Sequence, residues 1–276
     1  MYLVLKINCD HLKQMNNFIN ISTSFLRVLP NYLIIGAQKT GTSSLFNYLS
    51  MHPQVINSNK KEVHYFDKNF ERPLNWYKQF FPFKFIANNY TIGEATPDYL
   101  YHPFVAQRIY NTIPGVKLII ILRNPVERVI SHYFQAVRKN NEQRPIMQAL
   151  IEEDKDEIFI FNELKKNQFA IPKNVHVLYK SRSRYAEQIE RYFNLFPREQ
   201  ILFLSSKELL NTPNETLKKV YDFLKIKNDF YLREVTLMNV GTNKQEVSNE
   251  VMSYLTNYFM SYNNDLYNLL GYKFNW

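Results

Sequence analysis

Apolar residues fall into two patterns along the chain: short runs, and longer stretches with helical spacing. Tyr32 to Ile35 and the nearly continuous Val116 to Leu122 read as strands buried on both faces of a sheet. Gln54 to Ile56, Thr91 to Glu94 and Gln200 to Leu204 are further candidate strands. Leu45, Tyr48 and Leu49 recur at i, i+3, i+4 and open a helix. The pattern predicts more helices over Leu74 to Phe81, Pro103 to Tyr110, Pro125 to Val137, Ile146 to Leu164 and Arg184 to Phe193. Two others run from Pro213 to Leu224, with Thr212 as cap, and from Ser248 to Leu270, stopped by Gly271. Lys60 to Asp67 reads as a loop carrying aromatics. Strands alternating with helices predict an α/β fold of three layers, a central parallel sheet flanked by helices, with ligands at the C-terminal strand edges. Residues 1–30 read as an extension of mixed polarity ahead of one domain spanning 31–276.

The first strand runs into Gly36-Ala37-Gln38-Lys39-Thr40-Gly41-Thr42-Ser43, a glycine- and hydroxyl-rich turn with one lysine, followed by a helix. Such a turn aims backbone N–H groups, a helix N-terminus and a cation at one spot, which makes an anion site. In the common nucleotide loop, G-x-x-x-x-G-K-[ST], the lysine follows the second glycine. Here Lys39 precedes Gly41 and sits inside the turn. In this the chain resembles the sulfotransferases that use 3′-phosphoadenosine 5′-phosphosulfate (PAPS), whose fold is P-loop-like. The resemblance implies that Lys39, Thr40, Gly41, Thr42 and Ser43 cradle the 5′-phosphosulfate, with Lys39 supporting the departing bridging oxygen.

The strand ending at Leu122 delivers Arg123-Asn124-Pro125-Val126-Glu127-Arg128-Val129-Ile130-Ser131-His132-Tyr133. A guanidinium at the mouth of a buried strand suits a phosphate, although a structural ion pair would also satisfy it. The R-x-P-x-x-R-x-x-S-x-Y pattern is similar to the 3′-phosphate motif of the same family, which implies that Arg123 and Ser131 grip that phosphate. Arg128 reads as structural, pairing near the helix start. P-loop kinases place an acidic residue at such a strand end to help hold magnesium; this strand ends in arginine, and no metal is expected.

Between these anchors lies Lys60-Lys61-Glu62-Val63-His64-Tyr65-Phe66-Asp67. Attack by a hydroxyl or amine needs a proton acceptor. Glu62 and His64, two residues apart, share a side if the segment is extended, and either could serve. The segment resembles the K-E-x-H-[FY]-F motif of the carbohydrate branch that includes the heparan sulfate enzymes. That likeness favours Glu62 as base, with His64 assisting or positioning the acceptor. Lys61, beside Glu62, could steer an anionic acceptor or tune the base, and a solvated lysine is the alternative. Gly93-Glu94-Ala95-Thr96-Pro97-Asp98-Tyr99 resembles the next family segment, but the 3-O-type heparan enzymes carry a lysine at the position of Ala95. Its replacement weighs against a heparan-type acceptor, whereas Gln135 matches another acceptor-contact position of that group. A late loop, Asn239 to Lys244, resembles the one that closes over the 3′-phosphate and adds Lys244 to the cofactor contacts.

The formal charge of +9 favours anionic partners. Lys and Arg are dispersed without a reader motif, so no nucleic-acid partner is expected. One cysteine, Cys9, excludes an intramolecular disulfide and a thiolate-cluster zinc site. No apolar run reaches the roughly 18 residues that span a bilayer, and no signal-peptide pattern is present, so a soluble, cytoplasmic protein is expected. The expected activity is in-line sulfuryl transfer from PAPS, leaving 3′-phosphoadenosine 5′-phosphate, to a hydroxyl or amine of a carbohydrate. A nucleotide-dependent P-loop kinase and a non-catalytic binder of acidic polysaccharide are the alternatives.

Overall fold

The computed structural model describes residues 21–169, 177–233 and 246–276. Its centre is a parallel sheet of strands β1 (Tyr32–Gly36), β2 (Val55–Asn57), β3 (Thr91–Ala95), β4 (Lys117–Leu122) and β5 (Ile201–Ser205), in the order β2-β3-β1-β4-β5. The runs read as doubly buried strands lie where that reading requires. β1 is the middle strand and β4 its neighbour, and both are almost wholly inaccessible.

Alternation along these strands divides the core in two. Leu33 and Ile35 of β1, with Leu118, Ile120 and Leu122 of β4, face one side. There they meet helix α2 (Tyr65–Lys68), helix α4 (Val105–Thr112) and helix α7 (Tyr185–Phe193) through Phe66, Ile109 and Ile189. Tyr32, Ile34, Ile119 and Ile121 face the other side, against helix α1 (Thr42–Ser50), helix α8 (Ser206–Asn211) and helix α9 (Pro213–Leu224), through Leu45, Leu209 and Leu217. A third apolar cluster lies beneath α5 (Pro125–Arg138), α6 (Ile146–Lys166) and α10 (Asn249–Leu270). The three-layer α/β expectation therefore holds.

The differences are local. Thr212 does not cap α9: its side chain makes no cap bond and its hydroxyl donates back to Glu208 O at 3.1 Å. By contrast, Asn124 caps α5 by accepting from Val126 N and Glu127 N, and proline at the first helical position assists. Helix α3 (Asp98–Tyr101), α8 and a turn at Lys84–Ala87 were absent from the periodicity, because one or two turns offer too few positions to show a period. The aromatic loop expected over Lys60 to Asp67 contains the single turn α2.

Strand order reverses direction beside β1: β2 and β3 lie on one side of it, β4 and β5 on the other. The turns leaving β1 and β4 therefore open a crevice at the C-terminal edge, the usual ligand position in such sheets. One close approach fixes this geometry from the opposite flank. A methyl group on Gly93 of β3 would sit 2.0 Å from Cζ of Tyr32, whose fully buried ring crosses that strand and whose hydroxyl donates to Asn57 on β2. Gly93→Ala should lower stability by about 1–3 kcal/mol through overpacking. Urea denaturation checks it, and an unchanged midpoint would show that Tyr32 can move aside.

Candidate active site

The turn after β1 is built from left-handed residues. Lys39 has φ 71° and Gly41, the N-cap of α1, has φ 102°. Conformations of this kind turn successive N–H groups to one side and form an anion-binding concavity. Gly41 suits its position because it has no Cβ to strain. The Thr40 hydroxyl donates to Ala37 O at 2.7 Å and closes the turn, so its side chain is structural; Thr42 is also buried, and Ser43 is half-buried at the start of α1.

Lys39 is half-buried among other cations. Burial pushes its ammonium pKa down to about 8, and Arg138, Arg123, Lys139 and Arg128 push in the same direction. Among the described residues no carboxylate forms an ion pair with Lys39. Arg123 is held at one edge: its Nε donates to Glu127 Oε2 at 2.9 Å, an i, i+4 pair on the solvent side. The ion pair considered for it therefore exists, and it engages Nε. Ser131 and Gln135 are half-buried and share a helical stripe of α5 with Arg138, the strongest of the charges acting on Lys39. Arg128 is structural in a different way from that expected. It is fully buried and bonds Ser183 Oγ and the Tyr179 carbonyl, far along the chain. Lys244 lies outside the described residues.

The segment carrying Glu62 and His64 is not extended. Glu62 has φ 29° and His64 φ 56°. The alternation argument thus fails, yet the two side chains do meet, because the turn folds back. His64 Nε2 lies 3.2 Å from Glu62 Oε2, and its Nδ1 lies 2.7 Å from Oδ2 of the buried Asp67. Lys61 Nζ donates to Glu62 Oε1 at 3.1 Å. Burial opposes the charge of His64, but hydrogen bonds to Asp67 and Glu62 outweigh it and raise the imidazole pKa to about 9. Burial likewise pushes Glu62 up, while the His64 hydrogen bond and the Lys61 ammonium more than offset it and hold the carboxyl below its usual value. At neutral pH the pair is imidazolium and carboxylate, so only Glu62 can accept a proton.

Behind this pair, Asp98 accepts from Arg182 at 2.7 Å and lies 3.5 Å from Lys68 Nζ; Lys68 Nζ is also 3.5 Å from His64 Nε2. His64, Asp67 and Asp98 could present ligand atoms to a metal, but the Lys68 and Arg182 cations already sit against them. His132, buried on α5, feels the charges of Arg128, Arg182, Asp98 and Lys39, and so lies between the two halves of the site. Ala95 is fully buried in the core at the C-terminal end of β3. Asp67 and Asp98 stood inside segments that resemble the family but were given no role, whereas Lys68, Arg182, Arg138 and Lys139 carried no signal in the sequence.

Cation-lined turns at the switch point of a parallel sheet, beside a carboxylate paired with an imidazolium, define a group-transfer enzyme acting on an anionic donor. The chain belongs to the sulfotransferase family: a family model described as sulfotransferase domain matches residues 29–261. It is 31% identical over 91% of its length to the membrane-associated sulfotransferase kil1 of Dictyostelium discoideum, of which it covers 67%. It is 27% identical over 92% of its length to human heparan sulfate glucosamine 3-O-sulfotransferase 3B1, again covering 67% of that protein. The crystal structure of a sulfotransferase from Alicyclobacillus acidocaldarius superposes with a TM-score of 0.72 at 29% identity, covering 90% of this chain and 98% of that one. Sulfuryl transfer is thus the activity, and neither the kinase nor the non-catalytic binder is favoured. No helix among the described residues is long and apolar enough to cross a membrane.

The cation cluster predicts a link between stability and pH. Lys39 has a folded pKa near 8 against 10.5 for an ordinary lysine, so between these values the unfolded chain holds the proton more tightly. The charged lysine therefore destabilises the ligand-free fold, fully below pH 8 and not at all above 10.5. Lys39→Met should melt higher than the parent at pH 7, with the gap closing as pH rises to 10.5. Thermal scans across that range check it; a lower melting temperature for the variant at pH 7 would contradict it.

Proposed function

We propose that this chain uses PAPS as donor and transfers its sulfuryl group to a hydroxyl or amine of a carbohydrate, with Glu62 as general base. The observation that carries the donor half is the gathering of Lys39, Arg123, Arg138 and Lys139 about the β1 turn, where no carboxylate among the described residues forms an ion pair with Lys39. A doubly charged phosphate and a phosphosulfate are what such a cluster fits. Carbohydrate as the acceptor class is supported by the heparan sulfate 3-O-sulfotransferase among the relatives.

PAPS supplies an activated sulfuryl group on a good leaving group. In this reading Arg123 and Ser131 hold the 3′-phosphate, the Lys39–Ser43 turn cradles the 5′ end, and together they fix the direction of attack. Lys39 steadies the charge that develops on the leaving oxygen. Glu62 takes the proton of the attacking hydroxyl or amine. Lys61 and His64 occupy one lone-pair direction on each of its oxygens and leave the others for the acceptor. Protonated His64, held by Asp67, orients the carboxylate. Lys61, His64 and Gln135 are the proposed acceptor contacts, and Lys244 a further donor contact.

Calorimetric titration with 3′-phosphoadenosine 5′-phosphate, without added metal, tests the donor half. Binding should exceed that of AMP and ATP by tenfold or more, on the order of one lost charge-assisted phosphate contact, and Arg123→Ala should remove the preference. At pH 8 to 9 binding should take up protons, because an anion beside Lys39 returns its pKa toward 10.5. Buffers of different ionisation enthalpy measure that uptake. Equal affinity for AMP would overturn the assignment. Glu62→Gln should reduce transfer from PAPS to heparan sulfate by about 10²-fold or more while leaving nucleotide binding intact.

A further inference from the structure

Glu94 is a carboxyl at the end of β3 with no exposed surface, set among Tyr65, Phe66, Tyr77 and Tyr99 of the larger core. Among the described residues its partners are three hydroxyls. Thr96 Oγ1 donates to Oε1 at 2.5 Å, Tyr99 OH donates to Oε1 at 3.1 Å, and Tyr77 OH donates to Oε2 at 2.5 Å. A carboxyl so buried is costly to keep, and burial raises its pKa. The sulfuryl-transfer reading gives it no part, although it sits two hydrogen bonds from the base turn, through Thr96 to His64 and through Tyr99 to Tyr65.

Two of the three hydroxyls have a second partner, and in both cases it is backbone of the base turn. Thr96 Oγ1 accepts from His64 N at 3.4 Å. Tyr99 OH accepts from Tyr65 N at 2.9 Å and Phe66 N at 3.4 Å. These are the first N–H groups of α2, a single turn whose N-cap, His64, offers no side-chain cap bond. A hydroxyl has one proton. With Oε1 accepting that proton from each side, the lone pairs of Thr96 and Tyr99 are left facing the amides. The carboxyl thus sets the direction of both relays, and the tyrosine hydroxyl replaces the missing helix cap. Protonation of Glu94 on Oε2, shared with Tyr77, would leave the Oε1 arrangement intact.

We propose that Glu94 is a positioning residue for the base: through Thr96 and Tyr99 it pins the left-handed turn that brings His64 onto Glu62 and Asp67. The inference rests on the reading of Glu62 and His64 as the base pair. It predicts which replacements are tolerated. In Glu94→Gln the amide oxygen can take the Oε1 place while the NH₂ donates to Tyr77, so the relays survive. Glu94→Leu keeps the volume but removes the acceptor, freeing both hydroxyls to turn. Thr96→Val and Tyr99→Phe each delete one relay.

The test reads the His64 ring by nitrogen-detected NMR across pH, identified by its loss in His64→Gln, with no acceptor required. The charged groups facing that ring are Glu62 and Lys61 on its own turn, Asp67 and Lys68 on α2, and Asp98 on α3, with Arg182 behind. The parent and Glu94→Gln should titrate near 9. Glu94→Leu, Thr96→Val and Tyr99→Phe should titrate lower by about one unit or more, as hydrogen bonds to Glu62 and Asp67 lengthen. Affinity for 3′-phosphoadenosine 5′-phosphate should stay within about twofold in all of them, since the donor turn is on β1. Should Glu94→Leu not fold, the single-relay variants decide. Unshifted His64 titration in folded Glu94→Leu, or in both single-relay variants, overturns the proposal. Failure of the base reading shows separately, as a Glu62→Gln protein that still transfers sulfuryl to heparan sulfate.

Discussion

Like charges held close together are unfavourable unless something of opposite sign balances them, and the turn after β1 holds them that way. Arg123, at the end of β4, and Arg138, at the end of α5, both push the Lys39 proton off, and no carboxylate among the described residues pairs with it. The fold can sustain this because the strain is confined to one edge of a sheet whose middle strands are buried on both faces. The two-sided core supplies the stability, and the crevice between β1 and β4 puts the excess charge where a ligand can answer it.

The other half of the site follows the opposite rule. Around Glu62 and His64 nearly every charge has a counter-charge within hydrogen-bond reach: Lys61 for Glu62, Asp67 for His64, and Arg182 with Lys68 for Asp98. A group that must exchange a proton benefits from a fixed partner and orientation. In the donor half Lys39 has no such partner among the described residues, and Arg123 is paired with Glu127 through Nε alone. His132 lies between the two arrangements, buried and kept neutral first by burial and then by the surrounding cations.

The large elements were legible because they are long enough to show a period or are continuously apolar. β1, β4, α5 and α9 fall within a residue or two of the positions their patterns indicated. The Lys39 turn, Arg123 and Ser131 were legible as motifs at fixed spacing. Glu62 and His64 were singled out by resemblance; the shared side that an extended segment would give them does not apply, since the turn is left-handed at both residues. The partners of Asp98 and Arg128 could not be read, because Arg182 and Ser183 come 84 and 55 residues later and reach them only through the packing of the chain. Glu94 looked like one residue of a family segment; Thr96 and Tyr99 of that segment and Tyr77 from before it converge on Glu94 only through the packing of the chain.

Strand order separates two jobs within one crevice. Residues that would hold the donor leave β1 and β4, the two central neighbours, whereas the base turn grows out of the segment following β2, the strand at the sheet's edge. Central strands are locked by neighbours on both sides, and edge segments are not. A change in the segment after β2 can therefore reshape the base turn without disturbing the strands that deliver Lys39 and Arg123. The order β2-β3-β1-β4-β5 is in that sense a division between a clamped middle and an adjustable rim.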